Sequence, residues 1–340
     1  MSYLLSFLVP IIGFWSLASE GLASYSLLIF GFLILGIVDL LVGQKTQNKL
    51  KAEQEQLAKS KFHKRLLRIM VPVQYTAVLF YFAQLGSEPN LETLIGRTLT
   101  LGTLCGVIGI NVAHELGHKP NRIDQFCAKA LLLTSFYMHF IIEHNRGHHK
   151  DVGKAGEPGS ANKGESLYAF YFRALRDVFS HAWILERNRL QNKKQRIFSF
   201  DNEMLRYLLI QILYAIVLIS IFGFKSFLFY FIAAFTGILL LEAINYIEHY
   251  GLKRKLIKEN IYELVKEEHS WNSNHWFSRM ILFELPLHPD HHLNAFKPYQ
   301  TLNSSSKAPQ MPLGYPLMIL MALFPPIWFR VMDNRIPENN

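Results

Sequence analysis

The sequence predicts an all-α membrane protein, a six-transmembrane-helix bundle with a histidine-rich cap on its cytoplasmic side. Three observations predict it. Apolar runs long enough to cross a hydrocarbon core of ~30 Å, about 20 residues each, recur along the chain. Half of the 340 residues are hydrophobic, yet 35 Lys and Arg and 26 Asp and Glu remain to build polar segments. The 14 histidines are concentrated in a few compact groups. A soluble domain rarely combines these features.

The spans are expected near 3–18, 22–42, 66–85, 94–113, 207–222 and 227–247. The first twenty residues have no basic leader and no small-residue cleavage site, so they read as a span rather than a removed signal peptide. Orientation follows from the connections. Gln44–Arg68 holds eight Lys and Arg against two Glu, whereas Ser19–Gly21 and Gly86–Glu92 hold neither Lys nor Arg and carry Glu20, Glu88 and Glu92. Basic loops stay in the cytoplasm, so both termini and the segments after spans four and six are expected there. The net charge of +9 is explained by this bias, and no nucleic-acid partner is expected.

Three further apolar stretches, Phe126–Ile142, Trp276–Leu287 and Tyr315–Val331, do not fit the count directly. Phe126–Ile142 is flanked on both sides by histidine motifs. A single pass would separate them across the membrane, so a re-entrant or interfacial helix is expected. The chain has no internal repeat, heptad run or low-complexity tract, and reads as one integral membrane domain over 1–340.

Cys105 and Cys127 lie in apolar surroundings without C-x-x-C spacing, so they exclude a zinc knot or an iron–sulfur cluster and read as buried thiols. The metal chemistry must come from histidine. His114 and His118 stand four apart in H-E-L-G-H-K and share a helix face. His144, His148 and His149 come from E-H-N-R-G-H-H, His249 from N-Y-I-E-H-Y-G-L, and His288, His291 and His292 from L-P-L-H-P-D-H-H. Pro289 suits a first helical turn, which would make His288 the cap. A lone histidine is usually just a satisfied polar group. Nine imidazoles at helical spacing on one membrane face need something to bind; they exceed one metal and suit two, with iron, zinc or copper all compatible. Glu115, Glu143, Glu248 and Asp290 adjoin these histidines and are expected to orient imidazole rings from outside the metal. His63, His181, His269 and His275 are expected to play no such part, and His139 is notable for lying five residues before His144.

These motifs resemble the bacterial alkane 1-monooxygenases, within the membrane fatty-acid desaturase and hydroxylase superfamily. N-Y-I-E-H-Y-G is the most specific of them, and G-E-S at Gly164–Ser166, S-F-D-N-E at Ser199–Glu203, H-S-W-N-S-N-H at His269–His275, A-P-Q-x-P at Ala308–Pro312 and A-L-F-P-P at Ala322–Pro326 extend the likeness over most of the chain. The resemblance implies a di-iron cap: two non-haem irons held by the nine histidines, dioxygen as co-substrate, and terminal hydroxylation of n-alkanes or similar apolar chains to primary alcohols. It also implies electrons from rubredoxin, itself reduced by an NAD(P)H-dependent rubredoxin reductase, and a place in the bacterial inner membrane. Two departures stand out. Pro286 and Leu287 replace the family's usual Gln and Arg before the last motif, and the usual P-x-D-P-A after the second motif becomes Glu157-Pro158-Gly159-Ser160-Ala161.

The chain has no dinucleotide fingerprint or haem-attachment motif, so an external electron carrier is required. Arg187, Arg189, Lys193, Lys194 and Arg196 form a basic stretch that suits either an acidic carrier or positive-inside charge alone. A fatty-acyl desaturase or hydroxylase, or a methyl-arene monooxygenase, would use the same metal centre. A zinc protease would use only His114, Glu115 and His118. A metal transporter would need intramembrane acids along a path, and only Asp39 and Glu242 lie inside the expected spans. Gly31 and Gly36 in span two are candidates for leaving room beside a substrate channel, although packing against another helix is the commoner use of membrane glycines.

Overall fold

A computed structural model describes residues 2–87, 89–259 and 261–337. Glu88, counted above in a connecting loop, and the outermost residues of both termini lie outside the described residues. Six apolar helices match the expected runs: α1 (Ser2–Ala18), α2 (Gly21–Val42), α3 (Lys61–Leu85), α4 (Leu91–Gly117), α7 (Glu203–Phe222) and α8 (Phe224–His249). Five of them are long and apolar enough to cross a membrane, and α1 is a shorter apolar helix. The six expected runs thus correspond to five helices of spanning length and one shorter apolar helix. Elsewhere the helices outrun the apolar runs, because backbone hydrogen bonding continues past the point where apolar side chains stop.

The six helices run alternately between two ends. At one end the α1–α2 turn, the end of α3 and the start of α4 meet: Arg97 donates to the Ser19 carbonyl at 3.2 Å and the Gln84 carbonyl at 3.1 Å. At the other end Tyr3 of α1 donates to Glu284 at 2.7 Å. There Asp39 of α2 accepts the N–H groups of Phe277 and Ser278 at 3.0 Å each. Asp39 thereby satisfies orphan donors at the start of the short helix Trp276–Ile281, which is how the Trp276–Leu287 stretch is used. The other intraspan acid, Glu242, accepts from Tyr137 at 2.8 Å. Neither belongs to an open polar path. Gly223, at φ +82°, makes the tight α7–α8 turn that only glycine adopts freely.

Backbones of α4 and α8 touch through small residues. A Cβ at Gly237 would lie 2.7 Å from the Cys105 Cβ and 2.9 Å from the Gly106 nitrogen, so glycine is required for this approach. Both cysteines are buried and free.

The cap begins with α5 (Arg122–Leu133). The expected re-entrant helix over Phe126–Ile142 is broken. α5 ends at Leu133, Phe136 takes φ +52°, and a new helical stretch begins at Phe140, so the chain doubles back. The consequence holds as expected, because His118 before the segment and His144 after it lie 3.1 Å apart at Nε2. α6 (Leu167–Asn192) crosses the cap, with Phe170 against Tyr246 of α8 at 5.5 Å and Glu186 accepting the Glu203 N–H of α7 at 2.6 Å. A two-stranded antiparallel hairpin, β1 (Leu256–Lys258) and β2 (Ile261–Tyr262), follows α8. α9 (His288–Leu293) carries the last histidines. The Tyr315–Val331 stretch forms two short helices, Tyr315–Ala322 and Pro325–Met332, divided ahead of the Pro325–Pro326 pair.

Candidate metal centre

The four histidine motifs converge, and the convergence divides them. His114, His118, His144, His149 and His291 form one group; His148, His249, His288 and His292 form another, with the ligand atoms of each group within 4.8 Å of one another. The groups adjoin, the rings of His149 and His292 stacking at 4.5 Å.

Local backbone explains the division. His114 is in the last turn of α4 and His118 caps it, so their i, i+4 spacing aims both into the first group. His144–His148 is a π-helical turn, and i→i+5 bonding in such a turn places residues five apart on one face. His144 therefore joins His149, while His148 turns to the second group. On α9, His288 and His292 face the second group together, and His291 reaches the first. The cap residue of α9 is Leu287, with His288 as the first helical residue, so the helix starts one position earlier than the sequence reading had it.

Nitrogen spacing fits bound metal. Nε2 of His144 lies 3.1 Å from that of His118 and 3.0 Å from that of His149, and His149 lies 3.1 Å from His291. In the second group Nε2 of His288 is 3.1 Å from His249 and 2.9 Å from His292. Adjacent corners of a metal's coordination shell with bonds of ~2.1 Å are about 3 Å apart. Nε2 of His114 and of His148 are buried without any hydrogen-bond partner in the protein, an arrangement that a shared cation would satisfy. Burial first, and neighbouring imidazoles second, hold His118, His144, His149, His288, His291 and His292 well below the ordinary histidine pKa, so they present neutral nitrogens with free lone pairs.

Comparison with known proteins decides the family. The fatty acid desaturase family model matches residues 93–319. An alkane 1-monooxygenase of Ectopseudomonas oleovorans is 38% identical over 97% of this chain and 82% of its own length. An alkane 1-monooxygenase of Alcanivorax borkumensis is 36% identical over 97% of this chain and 82% of its own. The chain belongs to the fatty acid desaturase family, on its alkane 1-monooxygenase branch. A xylene/toluene monooxygenase hydroxylase component of Pseudomonas putida is more distant, 29% identical over 72% of this chain and 64% of its own length. Family membership and the apolar helices make the chain an integral membrane oxidoreductase with a histidine-held metal centre.

The four carboxylates expected around the alkane 1-monooxygenase metal centre part ways. Glu115 pairs with Lys119 at 2.7 Å and accepts the Tyr299 N–H at 3.1 Å. Glu143 meets His181 at 3.1 Å, giving that histidine a partner outside the nine. Asp290 holds Lys297 at 2.5 Å and the Asn303 N–H at 2.8 Å. Among the described residues the side-chain bonds of these three go to groups other than the nine imidazoles. Glu248 is different. Its Oε2 lies 3.3 Å from His288 Nε2, the metal-facing nitrogen, and its Oε1 accepts from Tyr315 at 2.6 Å.

Glu157 was not singled out as a site residue, and it is the carboxylate that engages a ring from behind. His148 Nδ1 sits 2.9 Å from its Oε1, with Gly159 N–H donating to the same oxygen at 2.9 Å and Ser160 to the other. Burial opposes charge on both partners, but their attraction prevails, lowering the pKa of the Glu157 carboxyl and raising that of His148; a carboxylate behind Nδ1 is the kind of partner that orients a metal-binding ring through its other nitrogen. The departure from P-x-D-P-A was the available signal. His249 finds a backbone equivalent in the His269 carbonyl, 3.3 Å from its Nδ1. His139 belongs to neither group and packs on the rings of Tyr137 and Phe179.

An apolar groove with a cavity volume of about 50 Å³ lies between α2, α4, α8 and the Tyr315–Ala322 helix, lined by Phe30, Gly31, Val107, Ile244, Ile319 and Tyr315. Two of its walls carry π-helical turns, Ile29–Ile34 in α2 and Cys105–Ile110 in α4. Gly31 opens onto it, since a Cβ there would meet nothing within 4 Å. Gly36 does not, because its Cβ would strike Leu317 at 2.6 Å.

Proposed function

We propose that this chain hydroxylates the terminal methyl group of n-alkanes, or of similarly apolar chains, at a pair of irons held by its nine clustered histidines. The observation that carries the reading is the junction of groove and cap. Tyr315 lines an apolar groove and bonds Glu248, which stands beside the metal-facing nitrogen of His288. An extended hydrocarbon seated in the groove would present its end to that junction.

His114, His118, His144, His149 and His291 would hold one iron, and His148, His249, His288 and His292 the other. Reduced iron with dioxygen supplies the oxidant that side chains lack for an unactivated C–H bond. Overall, one alkane, one dioxygen, two electrons and two protons give one primary alcohol and one water. The chain's own part is positioning. Glu157 and the His269 carbonyl fix the rings of His148 and His249, the groove excludes water, and the Tyr315–Glu248 pair is placed to hold a proton between groove and metal.

Electrons would come from rubredoxin, kept reduced by an NAD(P)H-dependent reductase. The cap would face the cytoplasm of a bacterial inner membrane, because the basic connection after α2 lies at the cap end, where Lys45 stands 5.0 Å over the Trp276 ring. The whole 1–340 chain would act as one domain. Reconstituted protein with rubredoxin and its reductase should convert n-alkanes to 1-alkanols, identified by mass spectrometry. Internal alcohols, olefins, or turnover restricted to acyl chains or xylenes would contradict the reading.

A further inference from the structure

The β1–β2 hairpin carries none of the chemistry above, yet it presents an unpartnered apolar surface. Leu256 is 58% exposed, Ile257 62%, Ile261 54% and Leu264 83%. Exposed Lys253, Lys255, Lys258 and Lys266 belong to the same segment and exposed Lys150 adjoins Arg254, so that five lysines outnumber the exposed Glu259 and Glu268. Single exposed apolar residues need no explanation, but a cluster rimmed by charge marks an interaction surface.

The ribbon is anchored firmly. Arg254 donates to the Glu263 carbonyl at 2.7 Å, the Lys255 N–H donates to the Glu263 carboxylate at 2.9 Å, and the Arg254 N–H donates to the Gly153 carbonyl at 2.8 Å. The same anchors lead inward to both histidine groups. Arg254 also donates to the carbonyl of Lys150 at 2.9 Å, next to His149, the ligand histidine that is not fully buried. Glu263 meets His269 at 3.3 Å, and the His269 carbonyl lies 3.3 Å from Nδ1 of His249.

We propose that this hairpin is the docking surface for a small acidic one-electron carrier protein. The inference rests on the reading that a separate carrier reduces the metal centre. Apolar side chains supply the contact and the lysine rim supplies attraction to an acidic partner, which raises the association rate and makes it fall with salt. Each docking oxidises one carrier and passes in one electron, and two dockings supply the two electrons that each hydroxylation takes from outside, the other two coming from the substrate C–H bond. The other basic stretch suits lipid instead. It stands at the head of α7, where Phe198 and Phe200 are 84% and 83% exposed and Arg189 is bound to Glu186 at 2.6 Å. Aromatics beside cations at the head of a membrane helix are interfacial composition.

The test uses the full chain in zwitterionic nanodiscs, with reduced rubredoxin as the probe and dithionite as the reference reductant. Ile257→Asp with Leu264→Asp, and separately Lys255→Glu with Lys258→Glu, should slow reduction by rubredoxin by about tenfold or more relative to dithionite, and the lysine pair should flatten its salt dependence. Carbodiimide coupling, which needs no metal, should join rubredoxin carboxylates to Lys255 or Lys258. Equal slowing with both reductants, unchanged rubredoxin rates, or quenching of a fluorophore on Lys258→Cys by brominated lipid would each overturn the proposal, the last by placing the hairpin in the membrane. If rubredoxin fails to reduce the unmodified protein while dithionite succeeds, the carrier reading itself is what fails.

Discussion

The two histidine groups are built from the same residue type and adjoin one another, yet their surroundings differ. The five-imidazole group meets no carboxylate among the described residues and has one partly exposed member, His149. The four-imidazole group is buried throughout, with Glu157 behind His148 and Glu248 at the face of His288. One group has more nitrogen and some access to the cap surface. The other has a carboxylate, Glu248, that leads through Tyr315 to the apolar groove. The contrast predicts substrate-side chemistry at the four-imidazole group and surface-side access at the five-imidazole group.

Removing a ligand from the smaller group should have the largest effect. His249→Ala leaves three imidazoles there, and iron retention in that group should fall more than about 100-fold, beyond the 10–100-fold typical of an outer partner. Metal analysis should find about half the iron remaining. His63→Ala should change little, since that ring packs on Tyr3 and Phe62 away from both groups. Equal losses from both variants would mean general destabilisation.

Disturbing the support of the smaller group should come next. A Cβ at Gly159 would lie 2.8 Å from His148 Nδ1 and 3.2 Å from Glu157 Oε1, in the space their hydrogen bond occupies. Gly159→Ala and Glu157→Gln should each weaken metal affinity about 10–100-fold, and iron titration should show the loss confined to one of two sites. A loss shared evenly would erase the distinction between the groups.

The smallest effect on the metal, and the clearest on substrate, should come from the groove. Gly31→Leu fills open space and should shift the preferred alkane to shorter chains with iron content unchanged, as read from product yields across a chain-length series. Gly36→Leu meets Leu317 at 2.6 Å and should instead lower stability by about 1–3 kcal/mol without a shift in preference.

How much of this was legible beforehand follows from the kind of signal involved. Hydropathy located the six apolar helices because lipid selects on side chains alone, but it could not separate the short α1 from a full span. The nine clustered histidines were legible because helical spacing and one-sided topology act over short stretches of chain. Their division was not. It depends on a π-turn at His144–His148 and on α9 straddling the two groups, and neither has a sequence periodicity of its own. Glu157 escaped because it reaches His148 from a loop nine residues away, whereas adjacency in sequence pointed to Glu115, Glu143 and Asp290, which bond Lys119, His181 and Lys297 instead. The doubling back between α5 and Phe140 was legible as a requirement of parity, while its broken form rests on the single left-handed residue Phe136.

The central claim, two unequal metal positions at the end of one groove, is tested most directly by Mössbauer spectroscopy of the protein loaded with ⁵⁷Fe. The account predicts two irons per chain giving two distinct doublets of equal area, with His249→Ala removing one doublet and sparing the other. One iron per chain, a single doublet for both irons, or equal loss of both doublets in that variant would contradict it.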